Sequence, residues 1–151
     1  MMKITEQEVE QRISHFKGVC RDKGLKLTHQ RIEIYREVAQ TGEHPDADSV
    51  YRRVRKRIPT VSLDTVYRTL WWLNDLGLVE TLGLSHERTR FDANLAPHHH
   101  FVCKKCGITR DFYSTDLDSI KLPDSVNAFG EIEATHVEVE GICTTCIKKE
   151  G

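Results

Sequence analysis

The sequence predicts an α+β protein, with an N-terminal winged helix-turn-helix unit followed by a small α/β unit. Three observations carry this expectation. Four stretches with apolar residues at spacings of three and four come first, and two short strand-like runs follow them at once. Beyond residues 93–97 the pattern changes to β-branched or alternating runs that hold four of the five cysteines. The expected division is therefore 1–92 for the winged-helix unit, 93–97 for a hinge and 98–151 for the second unit.

Residues 5–23 carry Val9, Ile13, Phe16 and Cys20 on one helical face and end at Gly24. A second helix opens at Thr28, whose hydroxyl can cap it, and buries Ile32, Tyr35 and Val38. The third is expected to start at His44-Pro45, with Asp46 and Asp48 near its positive end and Arg52 to Arg57 near its negative end. Ser62 caps a fourth, SLDTVYRTLWWLNDLG, in which Val66, Leu70 and Leu73 point inward and Gly77 supplies the stop. LVETLGL and RTRFD, around Ser85-His86-Glu87, form the hairpin of the wing. In the second unit HHFVC, ITRDFY and IEATHVEVEGIC read as strands, and DLDSIKL as a short helix between them. A unit of that size is too small to be comfortable alone, so metal, dimerisation or both are expected to support it.

The chain has 30% charged residues and no apolar run near the ~20 residues that cross a bilayer, which excludes a membrane-spanning helix. Its start, MMKITEQEVEQ, is polar and acidic rather than leader-like, so a cytoplasmic location and no membrane partner are expected. The net charge of −1 hides an asymmetry: residues 1–93 hold 16 Lys+Arg against 14 Asp+Glu, and residues 94–151 hold 6 against 9. The first part is the better partner for a polyanion.

Cys103-Lys-Lys-Cys106 and Cys143-Thr-Thr-Cys146 are two knuckles with 36 residues between them. A two-residue gap lets both thiolates of a knuckle hold one ion, and two knuckles complete the tetrahedral S4 set of a structural Zn²⁺ site. Redox chemistry uses a single such pair at the start of a helix in a βαβ setting, which is missing here. Cys20, at helical spacing from Phe16, reads as a small buried hydrophobe.

Three imidazoles precede the first knuckle. On a strand, His98 and His100 face one way while His99 and Cys103 face the other, so parity separates the His-x-His pair from the cysteines. Asp92 and Asp111 offer nearby oxygens, and a mixed N/O set suits Fe²⁺ or Mn²⁺. By spacing alone an exposed polar cluster is an equal reading. Asp92 as a turn residue, Asp111 as an exposed strand residue and His44 as a helix-capping residue also remain open.

Taken together, GLKLTHQR (24–31), EHPDADSVY (43–51), VSLDTVYRTLWWLNDLGLV (61–79), RFD (90–92), HHHFVCKKCG (98–107), RDF (110–112) and GICTTC (141–146) resemble the ferric uptake regulator (Fur) family. The similarity is greatest to its peroxide-sensing (PerR) branch. It implies a homodimeric transcriptional repressor that grips double-stranded operator DNA with its winged helices and dimerises through its C-terminal α/β domains. It also implies a regulator rather than an enzyme. By position the regulatory Fe²⁺ or Mn²⁺ falls to His44, Asp92, His98, His100 and Asp111, beside the structural Zn²⁺ of Cys103, Cys106, Cys143 and Cys146. In that branch iron and hydrogen peroxide oxidise a histidine ligand, and the matching positions are His44 and His98. Asp rather than Glu at 92 and 111 is similar to the peroxide-sensing branch, and the lack of a fifth suitably placed cysteine disfavours the zinc-uptake sensors. Asp118 falls where a further family site has an acid, but His136 does not align with its histidine, and that third site is not expected.

With the core stripe inward, Thr65, Arg68 and Thr69 fall on or near the outer face of the fourth helix. There Arg68 can donate to guanine O6 and N7 and Tyr67 can pack on a thymine methyl. The resemblance also favours Tyr67 and Arg68 as base readers and places Lys26 toward the minor groove. Arg52 to Arg57, together with Arg88 and Arg90 of the wing, are equally phosphate contacts or solvated charges. Trp71 and Trp72 are packing residues. Two other functions stay open: a reversible iron or manganese sensor of the same family, and a small metal-dependent hydrolase in which His98, His100, Asp92 and Asp111 activate water.

Overall fold

A computed structural model of the chain describes residues 4–82 and 89–150. It divides into two compact units, Met1–Leu95 and Ala96–Gly151. The Ser85-His86-Glu87 turn and Arg88 lie outside the described residues.

The first unit runs α1 (Glu6–Lys23), α2 (His29–Ala39), α3 (Ala47–Val54), α4 (Leu63–Asp75), β1 (Glu80–Leu82) and β2 (Arg90–Asp92). Each helix starts where a short polar side chain accepts from the open first turn. Thr5 and Glu8 form a reciprocal capping box, Thr28 accepts from the N–H of Arg31, Asp46 from Ser49 and Ser62 from Thr65. Helices α1 and α4 end alike. Leu25 N–H reaches Cys20 O and Gly24 N–H reaches Arg21 O, while Leu78 and Gly77 bond to Leu73 and Asn74 in the same manner. Gly24 and Gly77 take φ of +66° and +73°, the left-handed conformation this closure needs. Gly77→Ala is expected to cost about 1–2 kcal/mol from that conformation alone, read as a lowered midpoint in urea; an unchanged midpoint would contradict it.

Three expectations for these helices need correction. Helix α3 begins at Ala47, after an Asp46 cap, so His44-Pro45 precedes it, and His44 itself has φ of +56°. Ile34 rather than Ile32 is fully buried in α2, because a helix advances 100° per residue and Ile34 shares the face of Tyr35 and Val38. Thr69, three residues from Val66, is likewise buried rather than outward.

The core gathers Val9, Ile13, Phe16 and Cys20 of α1 with Ile34, Tyr35, Val38, Val50, Val66, Leu70 and Leu73. Phe16 is its hub, with ring centroids 5.0 Å from Tyr35 and 6.0 Å from Trp72. Trp71 meets Phe91 edge-on at 5.7 Å and so seats α4 on the wing. Strands β1 and β2 pair antiparallel, with Thr81 opposite Phe91.

The second unit runs β3 (His99–Cys103), β4 (Thr109–Phe112), α5 (Thr115–Asp118), α6 (Asp124–Asn127), β5 (Glu138–Gly141) and α7 (Thr144–Glu150). Its sheet has the order β4-β3-β5, antiparallel on one side and parallel on the other. The expected strand over IEATHVEVEGIC is shortened to Glu138–Gly141, where a partner strand exists. The expected helix over DLDSIKL lies earlier, because Ser114 caps it through the N–H of Leu117. Among the described residues of this unit no Ile, Leu, Val or Phe side chain is buried; His98, His99, His100, Cys103 and Thr109 are. Among the described residues of the chain, no helix is long and apolar enough to cross a membrane.

Candidate functional site

The four paired cysteines converge from two structures. Cys103 ends β3, and the chain turns back through Gly107, φ +75°, whose N–H bonds to Cys103 O. Cys143 stands before α7, and its sulfur accepts from the N–H of Cys146, as a helix-capping side chain does. Sulfur separations are 3.8 Å for Cys103–Cys146 and 3.7 Å for Cys106–Cys143, and all four sulfurs lie within 4.8 Å of one another. A tetrahedron with metal–sulfur bonds of about 2.3 Å has edges of about 3.8 Å, so the set fits Zn²⁺ in size and donor type. Backbone N–H groups of Cys106 and Cys143 pull the Cys103 thiol down to about 6. Hydrogen bonding to Cys143, then burial and the other sulfurs, pushes Cys146 up to about 12. Four thiolates this close repel unless a cation joins them, which is what a bound divalent ion provides. Cys20 is apart from them, buried in the first unit, and desolvation raises its thiol pKa.

Nitrogen and oxygen donors form one set in each unit. In the first, residues 44–46 run along β2: Phe91 N–H bonds to Pro45 O at 3.0 Å, Asp46 pairs with Arg90, and Arg90 Nη1 approaches His44 O at 3.4 Å. That alignment places His44 Nε2 3.3 Å from Asp92 Oδ2, while the other oxygen of Asp92 accepts from Asn94 N–H. The positive φ of His44 is a backbone strain kept at this position.

In the second unit, His100 and Asp111 are directly opposed across β3 and β4. Asp111 Oδ1 lies 3.3 Å from His100 Nε2 and 3.8 Å from His98 Nε2, and the two imidazoles stand edge to face at 4.7 Å. His98 Nδ1 is 2.6 Å from Ala96 O, which leaves Nε2 as the nitrogen that accepts. His99 faces the other way. Its Nδ1 accepts from Val137 N–H at 3.1 Å, so Nε2 carries the proton and donates to Asp118 at 2.8 Å. Both nitrogens of His99 thus serve the fold, tying β3 to α5 and to the segment before β5. No sequence signal separates this imidazole from its neighbours except strand parity.

On the first unit, α4 turns Tyr67 and Arg68 to solvent, with Thr65 half-buried and its hydroxyl accepting from Ser62. Beside them is a hollow lined by Lys26, Thr28, Gln30, Arg31, Thr65, Arg68, Thr69 and Trp72. The Arg31 guanidinium stacks 4.1 Å over Trp72 and also donates to Lys26 O, bracing the loop before α2 against α4. Periodicity assigns Trp72 to packing and cannot reveal this second role. Of the basic run after Arg52, Arg53 approaches Glu43, Arg55 stacks on Tyr51, and Arg57 bonds to Glu33 and to the buried Glu37.

Comparison with known proteins agrees with these features. The sequence pattern of the ferric uptake regulator family matches residues 22–140. The peroxide-responsive repressor PerR of Staphylococcus epidermidis is 34% identical over 97% of this chain and 94% of its own. PerR from Streptococcus pyogenes, a solved structure of peroxide sensing and gene regulation, superposes with a TM-score of 0.53 at 29% identity, covering 89% of this chain and 92% of that one. The ferric uptake regulator Fur of Helicobacter pylori has the same fold, with a TM-score of 0.76 at 20% identity and full coverage of both chains. The chain belongs to the ferric uptake regulator family.

Proposed function

We propose that this protein is a metal-dependent transcriptional repressor that senses hydrogen peroxide. The observation that carries the reading is the similarity to peroxide-responsive repressors along nearly the whole chain, and the donor chemistry supports it. In this reading His44 and Asp92 from one unit join His98, His100 and Asp111 from the other around one Fe²⁺ or Mn²⁺. Three nitrogens and two oxygens form a set that suits either ion, and the all-sulfur set holds Zn²⁺. Because its donors come from both units, the regulatory ion favours the arrangement that brings them together and shifts the population toward it. These residues would hold Fe²⁺, which would supply peroxide activation: one oxygen of hydrogen peroxide enters a C–H bond of a ligand imidazole, the histidine being the two-electron reductant, and the other leaves as water.

The residues of the chain do the rest. Asp92 and Asp111 supply charge that draws in a hard cation. The Ala96 carbonyl orients His98 so that Nε2 accepts, and strand pairing holds His100 beside Asp111. Oxidation of His44 or His98 removes a donor and releases the DNA-binding arrangement. Each event consumes a ligand, so in this reading the protein is a sensor and not an enzyme, and family membership supports a regulator over a hydrolase.

Duplex operator DNA is the proposed partner, with Tyr67 and Arg68 of α4 reading bases, Thr65 beside them and Lys26 reaching the minor groove. A homodimer is supported by Phe129, Ile132, Val139 and Ile147, which the C-terminal unit leaves exposed. Thiol chemistry of the S4 kind suits the cytoplasm.

Protein loaded anaerobically with Fe²⁺ or Mn²⁺ and exposed to low hydrogen peroxide tests the reading. A gain of about 16 Da, one oxygen, on the His44 or His98 peptide is expected with iron only, together with loss of DNA binding. Iron-loaded protein that stays unmodified and bound would instead mark a reversible iron or manganese sensor, a reading that the same donor set admits.

A further inference from the structure

Asp64 stands one turn before Arg68 on α4, and its Oδ2 lies 2.7 Å from Arg68 Nη2. Both side chains are about three-quarters exposed, at 72% and 74%. An exposed pair at this spacing contributes little to folding. A carboxylate on a surface that meets DNA also weakens attraction to phosphates. Asp64 sits where two surfaces meet: the hollow on one side of α4 includes Lys26, Arg31 and Arg68, and the hollow on the other includes Asp46, Asp48 and Asp64.

What the carboxylate offers is orientation. An unrestrained arginine swings toward the nearest phosphate, a contact that carries no sequence information. With one Nη held by Asp64, the remaining donors of the planar fork point away from the helix in a fixed plane. Two of them can then meet O6 and N7 of one guanine. We infer that Asp64 is a specificity-determining positioning residue, which aims Arg68 at a guanine and, by its charge, holds the guanidinium off the phosphates. This rests on the reading of α4 as the base-contacting helix.

The test uses full-length, zinc-containing protein loaded with Mn²⁺. A preferred site is selected from a duplex library with a randomised core, and every single-base variant of that site is then titrated. Arg68→Ala is expected to erase discrimination at one G·C pair. Asp64→Asn is expected to lower discrimination at that same pair about tenfold, with binding to unrelated DNA equal or tighter, and to change nothing further in the Arg68→Ala background. Asp64→Glu, which can still reach Arg68, should restore most of the discrimination. If Asp64→Asn discriminates like the parent while Arg68→Ala does not, the role of Asp64 is overturned and Arg68 stands as a base reader. If Arg68→Ala also keeps full discrimination at every position, the reading of α4 fails, and the inference with it.

Discussion

Cys143→Ser is expected to abolish zinc binding and unfold the C-terminal unit. Elemental analysis should fall from about one zinc per chain to none, and the dimer expected from gel filtration should be lost. Structural zinc sites in small domains contribute about 10–16 kcal/mol of apparent folding free energy, against the roughly 5–15 kcal/mol that holds a typical domain together. This unit has little else to rely on, since its buried side chains among the described residues are three histidines, Cys103 and Thr109. Cys20→Ser is the control: it lies in the other core and should cost stability there without touching zinc content. Loss of zinc with an unchanged melting profile would show that the sheet carries itself.

The second large effect concerns Arg57. Glu37 is only 1% exposed, and Arg57 Nη1 lies 2.7 Å from its Oε1, while Nε lies 3.0 Å from Glu33. Arg57→Ala leaves Glu37 with Gln40 as its remaining described hydrogen-bond partner. Breaking a buried pair costs about 3–5 kcal/mol; because Arg57 is itself open to solvent, we expect about 2–3 kcal/mol from urea unfolding. Arg57→Ala combined with Glu37→Gln should recover part of the loss, since the unpaired charge is the source of the penalty. A cost below about 0.5 kcal/mol, or no recovery in the double variant, would contradict the assignment. A substitution of this kind also separates folding from DNA contact, which the basic run of residues 52–57 invites one to confuse.

Much of the fold is legible in the sequence because it depends on near neighbours. A cap is a contact over three residues, so Thr28 and Ser62 can be named from the chain alone, and Gly24 and Gly77 can be named as stops. The knuckle spacing is itself the ligand geometry, and strand parity is enough to turn His99 away from His98 and His100. The start of α3 is misplaced by local reasoning because Pro45 and Asp46 both suit a first turn, and the pairing of residues 44–46 with β2 decides between them.

Partners distant in sequence lie beyond local reasoning. Glu37 reads as a solvated helix charge until Arg57 arrives from the far end of α3. His44 reads as a capping residue until β2 brings Asp92 to it. The sequence by itself determined the four helices of the first unit, the caps and stops of most of them, the cysteine knuckles and the family motifs, since each is written in spacings of a few residues. The tertiary structure alone decided which charges are satisfied and which carboxylate meets which imidazole, because those depend on where the folded chain returns.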